Sequence, residues 1–289
     1  MPTKNEKDDL SGRPTTGHEW DGIQEFDNPL PRWWLWVFYA TILWSVGYWI
    51  VYPAWPLISS YTPGILGYSQ RAALKDQIAE AKAKQSVYVA KLDQTELEAV
   101  VKDKELMDFA LAGGKSAFRL YCSQCHGSGA AGAKGYPNLN DDDWLWGGTL
   151  EAIATTVRYG IRSDHEETRE NDMPAFLKDE ILTKEQVNDV AEYVLSLSGG
   201  GGDDAAARRG AAIFAENCSA CHGEKGEGIR ELGGPRLNDA IWLYGGDKAT
   251  VVETISFARR GVMPAWVNRL PPATVKSLAV YVHSLGGGE

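Results

Sequence analysis

The chain has 289 residues and a formal net charge of −10, enough length for two modest domains with attachments. Its acidity excludes nucleic acid as the main partner, because phosphate backbones select basic surfaces. A composition of 44% hydrophobic and 24% charged residues excludes wholesale disorder.

Residues 1–32 are polar and rich in Gly, Pro and charge, which predicts a poorly ordered tail. Trp33 to Tyr52 then reads "WWLWVFYATILWSVGYWIVY", without one formal charge. As a helix this run rises roughly 30 Å, the depth of a bilayer's hydrocarbon core. Trp33, Trp34 and Trp36 crowd one end and Trp49, Tyr52 and Trp55 the other, as in an aromatic belt. A buried core helix fits this length and charge vacancy less well. A cleaved signal peptide fits less well still, since "YPAWPLISS" lacks a small-residue cleavage site. The reading is one membrane helix over 33–52. Arg32 and Arg13 flank its start, whereas no Lys or Arg occurs from Pro53 to Gln70. That bias predicts a cytoplasmic N-terminus with the remainder outside.

Residues 53–105 are expected to form a helical linker. Its segments "YSQRAALKDQIAEAKAKQSVYVAKL" and "TELEAVVKDKELMDFAL" read equally well as a solvated spacer or a docking arm. Two repeats follow, 106–198 and 205–289, separated by the glycine run of 199–204, which reads as a flexible linker. Gly114, Phe118 and Cys122 match Gly210, Phe214 and Cys218. "YPNLNDDDWLWGG" matches "GPRLNDAIWLYGG", "NDMPAF" matches "GVMPAW", and "VAEYVLSLSGG" matches "LAVYVHSLGGG". Helical spacing recurs in "TLEAIATTVRYGI" and in "KATVVETISFARRGV", both ending at glycine, and Thr183 to Gln186 has the form of a capping box. Tyr193 and Tyr281 occupy equivalent places on each last helix and are expected to pack against another helix. No segment reads as a sheet. The fold class is all-α: one N-terminal transmembrane helix, a helical stalk and two tandem domains.

All four cysteines fall in two Cys-x-x-Cys-His motifs, Cys122–Cys125–His126 and Cys218–Cys221–His222. This is the attachment pattern of c-type haem. Two thiols at this spacing can add to the porphyrin's two vinyl groups, and the adjacent histidine supplies the proximal ligand. The cofactors expected are therefore two covalently bound haem c. A Cys₄ zinc site is the alternative, but 92 residues separate Cys125 from Cys218 and zinc gives no role to the two histidines. Haem attachment also requires maturation outside the cytoplasm, in agreement with the charge bias.

Met173 and Met263 each precede Pro-Ala at equivalent places, 47 and 41 residues after the proximal histidines. A lone methionine is usually core packing. Its repetition downstream of each motif makes these two the expected sixth iron ligands, and His/Met ligation points to electron transfer rather than catalysis. His165, in the insertion "RSDHEETR" of the first repeat, is a competing ligand; His18 and His283 are assigned no role. From Leu106 to Leu197 eight Lys and Arg face fifteen Asp and Glu, against ten and eight from Ala205 to Glu289. The acidic first repeat reads either as a steering surface for a basic donor such as a soluble cytochrome c or as an ordinary solvated face.

"HEWDGIQEFDNPLPRWWLWVFYATILWSVGYWIVYPAWP", one anchor, a helical stalk and two Cys-x-x-Cys-His domains resemble the dihaem subunit (CcoP or FixP) of cbb3-type cytochrome c oxidases. The segment "DGIQEFDNPLPRWW" is the most discriminating part. The resemblance implies two tandem cytochrome c domains in a single-pass protein of the bacterial inner membrane, with its haem domains in the periplasm. It implies electron transfer from a donor cytochrome c to the monohaem and then the catalytic subunit of a proton-pumping oxidase, with no catalytic site in this chain. Carried over position by position, it pairs His126 with Met173 and His222 with Met263. A dihaem peroxidase, needing an open iron position, and a membrane-bound carrier for another respiratory complex are the alternatives.

Overall fold

A computed structural model describes residues 7–8 and 10–289. The rest of the expected disordered tail, residues 1–6 and 9, lies outside the described residues. The chain divides into two compact units, one reaching Ala83 and the other running from Lys84 to Glu289.

The first unit opens with a β-hairpin where the sequence predicted an irregular tail. Strands β1 (Thr15–Trp20) and β2 (Ile23–Phe26) pair antiparallel through Glu19–Gln24 and Trp20–Ile23. Asp21 (φ 51°) and Gly22 (φ 82°) both turn left-handed, the geometry of a type I′ connection that Asp-Gly favours. Helix α1 (Arg32–Val51) coincides with the expected membrane helix to within one residue, and none of its side chains is buried. It is long and apolar enough to cross a membrane. Its hydroxyls are satisfied within the helix: Thr41 Oγ1 donates to the Phe38 carbonyl at 2.7 Å and Ser45 Oγ to that of Thr41 at 2.8 Å. At the far end, the Ile65 and Leu66 amides donate to the Ile50 and Val51 carbonyls at 3.0 and 3.1 Å, so the last turn does not leave these acceptors empty.

Beyond it come α2 (Gln70–Gln94) and α3 (Leu97–Val100), then α4 (Lys104–Tyr121) and the single turn α5 (Ser123–His126). The first repeat continues with α6 (Leu150–Tyr159) and α7 (Lys184–Leu197). The second contains α8 (Asp204–Asn217), the single turn α9 (Ser219–His222), α10 (Lys248–Phe257) and α11 (Pro272–His283). Side-chain caps fix most starts: Asp103, Thr149, Asp203 and Asp247 each accept an amide of the first turn, and Thr183 and Gln186 complete the expected capping box.

These helices form two cores that do not follow the two repeats. The first joins Leu106, Phe118, Ile153 and Ala154 of α4 and α6 to Leu278, Ala279 and Val280 of α11. The second joins Val187, Val190 and Val194 of α7 to Phe214 of α8 and to Val251 and Ile255 of α10. Thus α4 crosses α11, and α8 crosses α7. Each core therefore draws on both of the segments 106–198 and 205–289. The second body is contiguous in the chain and is nested within the first.

The glycine run explains the exchange. Far from hanging loose, it folds back: the Gly200 amide donates to the Leu195 carbonyl at 2.9 Å, and the Glu192 carboxylate accepts the Gly202 amide at 3.1 Å. So short a return lays α8 against α7 before any other partner can reach it. The buried Glu192 side chain, 6% exposed, also pairs with Lys248 Nζ of α10 at 2.5 Å. The stalk is a docking element at its end: Leu92, Leu97 and Val100 belong to the first core. Lys276 Nζ of α11 donates to the Leu92, Asp93 and Thr95 carbonyls at 3.1, 2.9 and 2.7 Å, closing the C-terminus of α2.

Both crossings occur at a glycine. A Cβ on Gly114 would lie 2.1 Å from the Ser277 carbonyl oxygen, and one on Gly210 the same distance from that of Asp189. A Cβ on the neighbouring Gly113 would meet Ser277 Oγ at an ordinary 3.5 Å. Gly114→Ala is therefore expected to cost about 1–3 kcal/mol through overpacking. Gly113→Ala, on an exposed helix position, should stabilise by about 0.5–1 kcal/mol. Guanidinium unfolding of the detergent-solubilised chain, followed by circular dichroism, checks the opposite signs.

The carboxyl pKa of Glu192 is depressed, first by its hydrogen bond from Lys248 and then by the Gly202 amide. A depressed carboxylate contributes stability in full above its unfolded value and loses it as pH falls through the folded value. Glu192→Gln should accordingly lower stability by about 2 kcal/mol at neutral pH. Its difference from the wild type should shrink below about pH 4.5, the ordinary value for this carboxyl. Unfolding midpoints measured across pH 3–7 check this.

Candidate cofactor sites

Each Cys-x-x-Cys-His motif is built by a helix that stops and restarts. Cys122 ends α4, its amide donating to the Phe118 carbonyl at 2.9 Å, and its own carbonyl accepts the Cys125 and His126 amides at 3.1 and 2.9 Å. Cys218 ends α8 and accepts those of Cys221 and His222 at 3.2 and 3.0 Å. The single turn brings residues three apart to the same side, so both thiols of each pair can meet one planar group. All four thiols are free, and burial together with the partner cysteine pushes Cys122 and Cys218 up to about 11. The two pairs lie in different bodies, so no Cys₄ cluster forms.

Burial lowers the pKa of both His126 and His222, against the opposing pull of a backbone carbonyl. That carbonyl is Pro137 O for His126 Nδ1, at 3.2 Å, and Pro235 O for His222 Nδ1, at 2.9 Å. A carbonyl only accepts, so the proton sits on Nδ1 and Nε2 keeps its lone pair. A neutral imidazole with a backbone partner fixing its tautomer and orientation is what an axial iron ligand requires. The residues present thus fit haem c, the thiols as attachment points and Nε2 as donor.

The methionine straps cross between the bodies. Met263 packs against the first core, together with Cys122, and exchanges both backbone hydrogen bonds with Ile161 at 3.0 Å. Trp266 N then donates to the Val157 carbonyl at 3.2 Å. Met173 packs against the second core, with Cys218. Its strap is held to α10 by Phe176 N to Ile255 O at 3.1 Å and Lys178 N to Ser256 O at 3.2 Å. Met173 thus packs in a different core from Cys122, and Met263 in a different core from Cys218. Each strap belongs to the core of the opposite repeat, because the chain changes body just before each methionine. The two crossing segments are tied together. Arg162 donates to the Gly261 carbonyl at 2.8 Å and to that of Asn171 at 3.1 Å, while Arg260 pairs with Asp172.

Helix α10 ends earlier than its sequence suggested, at Phe257 with Ala258 left-handed (φ 53°), which releases the strap from Arg259 onward. His165 has its Nδ1 occupied by the Glu167 amide at 3.0 Å and its ring against Tyr159. The helix-packing role of the tyrosines holds, across repeats: Tyr281 lies 5.5 Å from Phe118 and Tyr193 5.1 Å from Phe214, between ring centroids. Sequence reasoning passed over Arg162, Arg169 and Arg259. The last two stand four residues before each methionine, a signal the repeat alignment already contained.

Comparison with known proteins agrees with these features. Residues 12–59 match the family described as the N-terminal domain of cytochrome oxidase-cbb3, FixP, and residues 109–194 and 205–282 match cytochrome c oxidase, cbb3-type, subunit III. The cbb3-type cytochrome c oxidase subunit FixP of Azorhizobium caulinodans is 57% identical, over 98% of this chain and 96% of its own length. FixP of Bradyrhizobium diazoefficiens is 55% identical over the whole of both chains, and subunit CcoP of Cereibacter sphaeroides 54% identical over the whole of both.

Proposed function

The chain belongs to the family of cbb3-type cytochrome c oxidase subunit III, and on that premise we propose that it carries two covalent haem c groups between a donor cytochrome c and the other subunits of the oxidase. It is an electron-transfer subunit of that complex, anchored by its one apolar helix. A haem bound at each motif supplies one-electron chemistry. Cys122 and Cys125 attach one haem and Cys218 and Cys221 the other. His126 and Met263 would hold the iron of the first, His222 and Met173 that of the second.

The observation that carries this reading is the repeated conjunction of a Cys-x-x-Cys-His turn, a neutral imidazole and a methionine strap within each core. A filled sixth position suits electron transfer and denies a peroxidase the open iron it needs. The monohaem and catalytic subunits are the receiving partners. The N-terminus is cytoplasmic and the haem bodies periplasmic, supported by the basic residues Arg13 and Arg32 before α1 and by the need to attach haem outside the cytoplasm.

Mild-detergent purification of the tagged chain should recover the catalytic and monohaem oxidase subunits, with two haems per copy by pyridine haemochrome assay. Recovery with a dehydrogenase instead would overturn the assignment. The crossed ligation has its own test. In a Cys218→Ala/Cys221→Ala background only the first haem remains. There Met263→Ala should raise carbon monoxide binding from near zero to about one equivalent, and Met173→Ala should leave it unchanged. The opposite result would restore the pairing within each repeat.

A further inference from the structure

Arg169 and Arg259 occupy equivalent places in the repeats, four residues before Met173 and Met263, yet their surroundings differ. Arg259 stacks over Tyr244, 4.9 Å from the ring centroid, and its guanidinium is fully engaged. Nε donates to Thr254 Oγ1 at 3.1 Å, Nη1 to Glu253 at 3.2 Å, and Nη2 to the Thr250 carbonyl at 2.8 Å. Arg169 stacks over Trp146, the counterpart of Tyr244, at 5.3 Å, and its Nη2 donates to the Ala152 carbonyl, counterpart of Thr250, at 3.2 Å. There the likeness ends. Thr155 stands where the second repeat has Glu253. Arg169 Nε is buried with no hydrogen-bond partner, the single such side-chain atom among the described residues. Burial is what acts on its ionisation, lowering its pKa, with no carboxylate countering it.

A half-buried guanidinium whose Nε is buried without an acceptor, and which has no counter-charge, is costly, and such a group is matched by an anion. Its place identifies that anion. The Arg169 amide donates to the Gly160 carbonyl at 3.1 Å, and the adjoining Ile161 exchanges hydrogen bonds with Met263. One residue of intervening backbone thus links Arg169 to the strap of the first body. The haem expected there carries two carboxylates, its propionates, and a guanidinium fork matches a carboxylate.

We infer that Arg169 binds a propionate of the haem attached to Cys122 and Cys125 and holds that haem's reduction potential up, while Arg259, already saturated by protein, does not do this for the other. The inference rests on the haem reading above. A cation that offsets propionate charge favours the reduced iron, which bears one positive charge fewer. No step beyond hydrogen bonding and charge pairing is involved.

The test is spectroelectrochemical titration of the full chain in detergent, which reads two midpoints. Arg169→Gln should lower the equilibrium constant for reduction of one haem roughly tenfold, 59 mV for one electron. Arg169→Lys, which keeps the charge and loses Nε, should lower it less, about threefold. Arg259→Gln/Glu253→Gln, removing a matched pair, should leave both midpoints within about twofold. The shift from Arg169→Gln should persist in the Cys218→Ala/Cys221→Ala background and vanish in Cys122→Ala/Cys125→Ala. Where Arg169→Gln fails to assemble, the Lys variant decides. Arg169 variants that keep two haems but leave both midpoints unmoved, or that move only the second haem, overturn the inference and leave the haem reading standing. A wild-type chain without haem overturns that reading instead.

Discussion

The close approach of two helix backbones at a glycine is the constraint on which the two Cys-x-x-Cys-His bodies depend. At Gly114 the α11 backbone comes so near that any side chain would enter the Ser277 carbonyl, and at Gly210 α7 does the same through Asp189. One turn further along, Phe118 and Phe214 fill the crossing and are almost wholly buried, 1% exposed each. A second turn brings Cys122 and Cys218, where the helices end. The thiols and histidines are thus positioned by distance along a helix from a fixed crossing point. The tyrosines of α11 and α7 then lock the rings from the opposite side.

Much of this was legible because its signals are local. The uncharged run after Arg32, the cap at Thr183, the Cys-x-x-Cys-His turns and the paired Met-Pro-Ala segments each declare themselves within a few residues. The β1–β2 hairpin signal is equally local: Asp21-Gly22 is a strong turn signal, set in a polar, Gly- and Pro-rich composition that by itself favours disorder. Which helix pairs with which was illegible for a different reason. The repeats carry equivalent residues at the interface: Gly114 and Phe118 match Gly210 and Phe214, and Tyr193 matches Tyr281. Local chemistry is degenerate between the two solutions. The short clamped return at Gly199–Asp203 breaks the tie, and its effect is topological, outside the reach of any motif.

Equivalence of ligands does not make the bodies equal. The first receives the end of the stalk through Leu92, Leu97 and Val100, capped by Lys276, and the second has no such addition. Around the crossing segments, the first repeat's extra "RSDHEETR" loop brings Arg162 to the Gly261 and Asn171 carbonyls, a bond pair the second repeat has no residue to reproduce. Two carriers with the same attachment and axial donor types can differ in potential only through such surroundings: burial, hydrogen bonds and nearby charge. The repeats share their Cys-x-x-Cys-His and Met-Pro-Ala segments, and the insertion and the stalk are where the two copies part.

The nesting also sets an order in which the bodies can form. The second core draws on a contiguous stretch from Met173 to Ile255, so its contacts are short in sequence. The first needs α4 and α6 to wait for α11, with Phe118 meeting Tyr281 across almost the whole of both repeats. Closing so long a loop costs more chain entropy than closing the inner one, though the cost rises only slowly with length. The inner core, closed over a shorter stretch, reduces the free chain that the outer core must span. The straps then make separation expensive, because pulling the bodies apart would strip a methionine from each core at once.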